Sequence, residues 1–218
     1  MSTGVLFSGG KDSCLALYKF GAENVTCLLS ILPYDKDSWM FHQPNEKLLR
    51  KQAEMLRLPL IVRKSSAEKN KELEDLRELI KESGVKRLVT GALASNYQGK
   101  RIKKICNDFG IKLESPLWNY SEEKLWKELL ENDFKVILIK ISCEGIGKEF
   151  IGEVIDKKKY EELKKLSEKY KFRLDFEGGE AETAVLWMPG FTEEINLDYE
   201  IKSEDKYRHF LIVKKIKK

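Results

Sequence analysis

Apolar and polar positions follow two styles along this chain, and the change falls near residue 118. Before it, short apolar runs alternate with amphipathic stretches. Gly4–Phe7, Val25–Ile31, Leu60–Val62 and Arg87–Thr90 read as strands, with a weaker one at Lys112–Glu114. Asp12–Phe20, Asn45–Leu56, Glu68–Glu82 and Tyr97–Asn107 read as the helices between and after them. Leu73, Leu76, Leu79 and Ile80 recur at helical spacing, and Ser83-Gly84 ends that helix as a C-terminal glycine does. Alternating strands and helices predict an α/β domain over residues 1–118, with a parallel sheet covered on both faces. Ligands of such sheets collect beyond the carboxyl ends of the strands, where the strand order reverses.

After Pro116-Leu117-Trp118 the pattern becomes mixed. Ser121 is placed to cap a helix carrying Leu125, Trp126, Leu129 and Leu130, with Lys124 where a capping box prefers Glu. Phe134–Ser142 is a strong strand. Lys158–Tyr170 is an amphipathic helix with Tyr160, Leu163, Leu166 and Tyr170 as its apolar stripe. Ala184–Met188, Glu193–Ile201 and Arg208–Ile216 alternate as half-buried strands. Residues 119–218 therefore read as a smaller α+β domain. The chain shows no internal repeat and no low-complexity linker.

Three segments carry candidate chemistry. The first is Ser8-Gly9-Gly10-Lys11-Asp12-Ser13, between an apolar strand and a helix start. Glycines admit backbone angles and close approaches that a side chain would block. A helix N-terminus with N–H groups aimed outward is an anion site, to which Lys11 adds a cation and the two serines add hydroxyls. The spacing matches neither a Walker loop nor a dinucleotide fingerprint. It resembles the PP-loop of N-type ATP pyrophosphatases, which implies cleavage of ATP between its α and β phosphates.

The second segment, Gly91–Arg101, follows the Arg87–Thr90 strand. Gly91 and Ala92 let backbone approach a ligand; Ser95, Tyr97 and Gln98 can hydrogen-bond; Lys100 and Arg101 can meet phosphate or carboxylate. An ordinary strand-to-helix loop with a basic first turn would look the same. The third is Glu177-Gly178-Gly179-Glu180-Ala181-Glu182-Thr183, with three carboxylates around a glycine pair. It suits a cation, an amine or a general base, and equally a solvated acidic turn.

Composition narrows these choices. Charged residues make up 35% of the 218, mostly Lys and Glu, as in heat-adapted proteins. Net charge is only +4, so no overall polyanion-binding field exists and nucleic acid is disfavoured. The basic end Lys214-Lys215-Ile216-Lys217-Lys218 reads as a solvated tail. Cys14, Cys27, Cys106 and Cys143 form no C-x-x-C pair, and His42 and His209 cannot build a histidine metal site. The sequence carries no signal-peptide pattern and no apolar stretch of membrane-spanning length. A cytoplasmic protein with free thiols and no membrane partner is expected.

The three segments together resemble the diphthine–ammonia ligase family. Gly91–Ile102 and Glu177–Thr183 are its more specific marks, joined by Ser38-Trp39-Met40-Phe41-His42, Gln52-Ala53 and Leu58-Pro59-Leu60. The resemblance covers residues 1–190 and departs at Phe176, where a small residue was expected, and at Ala181, where Phe was. It implies a Rossmann-like doubly wound sheet of adenine nucleotide α-hydrolase type. It also implies an AMP-forming ligase that amidates diphthine on translation elongation factor 2, using ATP, Mg²⁺ and ammonia. Ser8, Gly9, Gly10, Lys11, Asp12, Ser13, Ser30, Met40, Gly91 and Ala92 would hold ATP, with Asp12 a candidate Mg²⁺ ligand. Ser95, Tyr97, Gln98, Lys100, Arg101, Glu177, Gly178, Gly179, Glu180 and Glu182 would hold substrate. Lys11, Asp12, Arg101, Glu180 and Glu182 would carry the chemistry. A homodimer is left open. No glutaminase nucleophile motif is present, which implies free ammonia or a partner subunit.

Rival readings are a tRNA-modifying PP-loop enzyme of thiolation or lysidine type, a non-catalytic ATP-binding protein of the translation machinery, and an amide ligase for a free small acid. Thiolation commonly uses a cysteine pair, whereas here only Cys143 lies in a suitable loop.

Overall fold

Strands that are apolar on both sides need cover on both sides, and the first half of the chain supplies it. The computed structural model describes residues 1–33, 46–65, 71–93 and 96–217, with the backbone alone at 33, 71–72 and 96–98. Its first elements are β1 (Thr3–Leu6), α1 (Lys11–Phe20), β2 (Cys27–Pro33), α2 (Glu46–Leu56), β3 (Leu60–Ser65), α3 (Lys71–Ser83), β4 (Arg87–Val89), α4 (Asn96–Asp108) and β5 (Lys112–Glu114). The strand order is β3-β2-β1-β4-β5, and every pairing is parallel. Within the described residues the predicted elements are present, with ends shifted by a turn or less; Asn45 and Glu68–Asn70, at the predicted starts of two helices, lie outside the described residues.

Alternation along each strand sorts the side chains onto two faces. Cys27 and Leu29 of β2 and Leu88 of β4 pack with Leu79 and Ile80 of α3 and with Ile102, Ile105 and Cys106 of α4. Val5, Leu28 and Val89 have the opposite parity and take the other face. Right-handed crossovers put α1 and α2 there. Gly4 sits between the layers because a Cβ would lie 3.0 Å from Leu29 Cδ1 and 3.1 Å from Val85 Cγ1. The predicted α3 face is real, with Leu79 and Ile80 buried and Leu73 and Leu76 packed beside them. Gly84 follows at φ +63°.

The chain moves from β1 outward to β2 and from β4 outward to β5. The strand order therefore reverses between β1 and β4, which is where ligands of such sheets bind.

The chain divides into two compact units, Met1–Asn119 and Tyr120–Lys218. The second contains α5 (Glu122–Glu131), β6 (Lys135–Ser142), α6 (Lys157–Tyr170), β7 (Ala181–Trp187), β8 (Asn196–Ser203) and β9 (Arg208–Lys217). Its strands form an antiparallel sheet in the order β7-β6-β9-β8. Ser121 caps α5 as predicted, its Oγ accepting from Lys124 N at 3.2 Å. Trp126 is fully buried, and its indole N–H donates to Leu174 O at 2.7 Å.

Two expectations fail here. Tyr170 does not join the buried stripe of α6; it is 38% exposed and lies over Gly145, where a Cβ would meet its ring. The buried part of the α6 face is Tyr160 and Leu163, with Leu166 half-buried beyond them. Strand β8 is not half-buried. It is an edge strand of mostly exposed residues, held by its ladder with β9. Among the described residues no helix is long and apolar enough to cross a membrane.

Candidate functional site

The turn after β1 is built from its own side chains. Gly9 takes φ +73°, a backbone state that L side chains disfavour. Ser13 Oγ donates to Gly10 O at 3.1 Å, accepts from Ser8 N at 3.3 Å and lies 3.2 Å from Ser8 Oγ. The two serines thus hold the turn's shape. Gly10 is the N-cap of α1 and, lacking a side chain, leaves the helix N-terminus without a side-chain cap. An uncapped N-terminus retains its positive end for an anion. Lys11 is only 2% exposed, and its Nζ lies 2.9 Å from Asp12 Oδ2. A cation is thereby held at the turn rather than ranging through solvent.

Gln52 of α2 reaches this turn, a contact the sequence did not suggest. Its Nε2 donates to Gly9 O at 2.8 Å in a buried bond. A Cβ on Gly9 would overlap the Gln52 amide. The signal available in sequence was a polar residue on the buried face of an amphipathic helix.

The loop after β4 closes on the same place. A Cβ on Gly91 would lie 2.7 Å from the carbonyl carbon of Asp12 and 2.8 Å from Ser13 N. Glycine at 91 is therefore what lets this loop pass against the first turn of α1, beside the β1–β4 reversal. Ala92 N donates to Thr90 Oγ1 at 3.3 Å. Ser30 is buried on β2, its parity placing it on the α1–α2 face.

Further along this loop the predicted set spreads out. Lys100 is exposed on α4. Arg101 lines a groove of about 290 Å³ between α3 and α4, with Leu73, Glu74, Arg77, Lys104 and Ile105. Trp118, unassigned by sequence, is 43% exposed and rests on α4, where Gly99 leaves room for its ring. Asn119 N donates to Leu93 O at 2.8 Å, tying that segment to the loop after β4. Met40 and Ser95 lie outside the described residues, together with the whole Ser38–His42 segment. Of Tyr97 and Gln98 only the helical backbone is described.

In the second unit the acidic segment is anchored. Asp175 is buried and paired with the Arg173 guanidinium, and its Oδ1 accepts from Glu177 N at 3.0 Å. Phe176 takes φ +61° and sends its ring into the core, edge-on to Trp126 at 6.1 Å between ring centres. Both departures from the family pattern are therefore packing residues, since Ala181 is buried as well, paired with Ile141. Glu180 Oε1 accepts from Arg173 N at 3.3 Å, while its buried Oε2 has no hydrogen-bond partner. Glu182 lies on β7, beyond the turn, with Oε1 3.0 Å from Lys140 Nζ. Burial lowers the Lys140 pKa, and the Glu204 charge opposes that shift. The three glutamates are thus unequal: Glu177 is on the exposed turn, Glu180 is half-buried beside Arg173, and Glu182 is already ion-paired.

No group of three or more His, Cys, Asp or Glu suited to a metal occurs among the described residues. The four cysteines are unbridged. Burial, then the nearby Glu180 charge, pushes the Cys143 thiol up to about 11.

A parallel sheet with a glycine turn and an uncapped helix N-terminus at its reversal point is the arrangement with which α/β proteins bind anions. Residues 1–113 match the family model described as diphthamide synthase N-terminal domain, and residues 121–218 match the diphthamide synthase C-terminal domain. The chain belongs to the diphthamide synthase family. It is 32% identical to the diphthine–ammonia ligase of Schizosaccharomyces pombe, over 88% of this chain and 35% of that protein. Against the mouse diphthine–ammonia ligase it is 30% identical, over 91% of this chain and 83% of the relative. The human enzyme of the same name is 28% identical over the same shares. The chain thus spans about a third of the fission yeast protein and most of the mammalian ones. A crystal structure described as a predicted subunit of tRNA methyltransferase from Methanocaldococcus jannaschii aligns with 89% of this chain at 17% identity and a TM-score of 0.43. That likeness is too low to carry an argument.

Proposed function

We propose that this chain is an AMP-forming amide ligase. It converts the carboxylate of diphthine, on translation elongation factor 2, into the amide of diphthamide, with ammonia as nitrogen donor. One observation carries the reading beyond family membership: the glycine turn, with its uncapped helix and buried Lys11, lies where the strand order reverses.

The substrate carboxylate attacks the α phosphorus of ATP, forming an acyl-adenylate and expelling pyrophosphate. Ammonia then attacks the acyl carbon, AMP leaves, and the new amide nitrogen gives up a proton. Backbone N–H groups of Ser8–Ser13 and the Lys11 ammonium stabilise the charge that builds on pyrophosphate. Gly91 and Ala92 face the α phosphate through backbone. Lys100, exposed on α4 beyond their loop, neutralises the approaching carboxylate, which otherwise meets an anion, whereas Arg101 lines the α3–α4 groove and is left out of this step. Glu180 is the better candidate than Glu182 for binding ammonium or the substrate's quaternary ammonium, because Lys140 already neutralises Glu182.

Asp12, ion-paired with Lys11 beside the turn, is the residue that would meet Mg²⁺ carried in on the nucleotide. The ion would supply charge neutralisation on the phosphates. A cytoplasmic location follows from a substrate of the translation machinery.

The test is ATP turnover resolved into AMP and pyrophosphate. Elongation factor 2 bearing diphthine, with ammonium, is compared with the protein alone and with bulk tRNA. AMP formed only with the modified factor, with loss of OH and gain of NH₂ in its mass, supports the ligase. AMP formed only with tRNA replaces it with RNA modification.

A further inference from the structure

A glycine pair that lets backbone approach a phosphate also lets the peptide between them turn over. The Gly9–Gly10 peptide is flanked by two torsions, Gly9 ψ and Gly10 φ, and neither meets a Cβ. In a trans peptide the C=O and the following N–H point in opposite directions. One orientation therefore offers an anion the Gly10 N–H, and the other offers it the Gly9 carbonyl oxygen. The first attracts phosphate and the second repels it.

We propose that Gln52 is the positioning residue that selects the anion-binding orientation of the Gly9–Gly10 peptide. Gln52 is 1% exposed on α2 and donates Nε2 to Gly9 O at 2.8 Å. That bond draws the carbonyl toward α2. The Gly10 N–H then points away from α2, toward Ser8 Oγ at 3.4 Å, on the exposed side of the turn. The bond is long, so an incoming phosphate oxygen can take the N–H over. The Gln52 amide also fills the space a Cβ at 9 would occupy, so the glycine and the glutamine require each other. Gln52 touches no reacting atom in this scheme; it acts through the turn. The inference rests on the turn being the ATP phosphate site.

Gln52→Glu keeps the size and replaces the donor with an acceptor. The introduced carboxylate repels the Gly9 carbonyl and would accept from a turned-over Gly10 N–H, favouring the orientation that repels phosphate. Affinity for inorganic pyrophosphate and for ATP is measured by calorimetry on the full chain, below the melting temperature of each variant. At pH 8, Gln52→Glu is expected to weaken pyrophosphate binding about tenfold or more, the scale of one buried hydrogen bond lost and a repulsion gained. Burial and the facing Gly9 carbonyl raise the introduced carboxyl above the ordinary glutamate range, so at pH 5 more of it is protonated and donates again, and affinity recovers relative to the unmodified chain at the same pH. Gln52→Leu loses affinity at both pH values. A purely structural role would lower melting temperature without this pH-dependent recovery. If Gln52→Glu does not fold, Gln52→Asn, whose amide is too short to reach, is expected to show the affinity loss alone.

Unchanged pyrophosphate affinity at pH 8 in the folded variant overturns the inference. Lys11→Ala run in parallel separates the causes. If it loses pyrophosphate binding while Gln52→Glu retains it, the phosphate reading stands and Gln52 has no positioning role. If Lys11→Ala also retains binding, the phosphate reading itself falls.

Discussion

At the scale of single residues, the chemistry is set by what each side chain already holds. Lys11 is buried against Asp12 at the turn, so no other residue of the turn supplies a cation. Lys11→Ala is expected to cut pyrophosphate release by about 100-fold or more, the loss seen when one preorganised donor to a developing charge is removed. Steady-state turnover near the unmodified rate would remove Lys11 from the mechanism. Glu180→Gln should leave ATP affinity intact while amide formation falls. Equal loss of both would make the acidic turn structural. The same variant has a second readout at Cys143, whose thiol is held up to about 11 by burial and by the Glu180 charge. Removing that charge lowers the thiol pKa, so iodoacetamide should label Cys143 faster at pH 8 in Glu180→Gln than in the unmodified chain. Equal labelling rates would show that the Glu180 charge does not reach the thiol.

At the scale of elements, hydrophobic period and capping residues made most of the fold legible. The α3 stripe and the glycine after it, the Ser121 cap and the strong β6 strand all appear as local rules predict. Ser121→Ala should destabilise the chain by about 1 kcal/mol, because one N–H of the first turn of α5 loses its acceptor. Urea unfolding followed by tryptophan fluorescence checks this, and no shift in midpoint would mean water replaces the cap at no cost. Two elements were misjudged for a common reason. Tyr170 and β8 carry the apolar periodicity of buried segments but lie at a helix end and a sheet edge. Periodicity shows which face an element could bury, whereas neighbours decide whether anything covers it. Gly145 receives the Tyr170 ring at the surface, and β9 satisfies one side of β8.

For the molecule as a whole, alternating strands and helices identified a parallel sheet, and the glycine turn marked the carboxyl end of its central strand β1, beside the reversal in strand order. The thiols add a pH dependence. Burial raises the pKa of Cys14, Cys27, Cys106 and Cys143, and that of Cys106 reaches about 11 from an ordinary 9.0. Between those values the folded chain keeps protons that the unfolded chain releases, so stability falls as pH rises through that window. Melting temperature should therefore decline from pH 9 to pH 11, and Cys106→Ala should flatten the decline. An unchanged slope would place the alkaline sensitivity in other groups.

The sequence by itself determined the kinds of element, their order, the phosphate-type turn and the acidic segment, because backbone torsions and side-chain period are local. Only the tertiary structure decided which distant groups meet. Gln52 lies 43 residues from Gly9 along the chain and reaches it because α1 and α2 cover one face of the sheet. Gly91 passes the first turn of α1 because β1 and β4 are neighbours in the strand order. Glu182 is neutralised by Lys140 because β6 and β7 pair in a register that sets those two residues side by side. Strand order and register set these encounters, and neither is written in the spacing of residues along one segment.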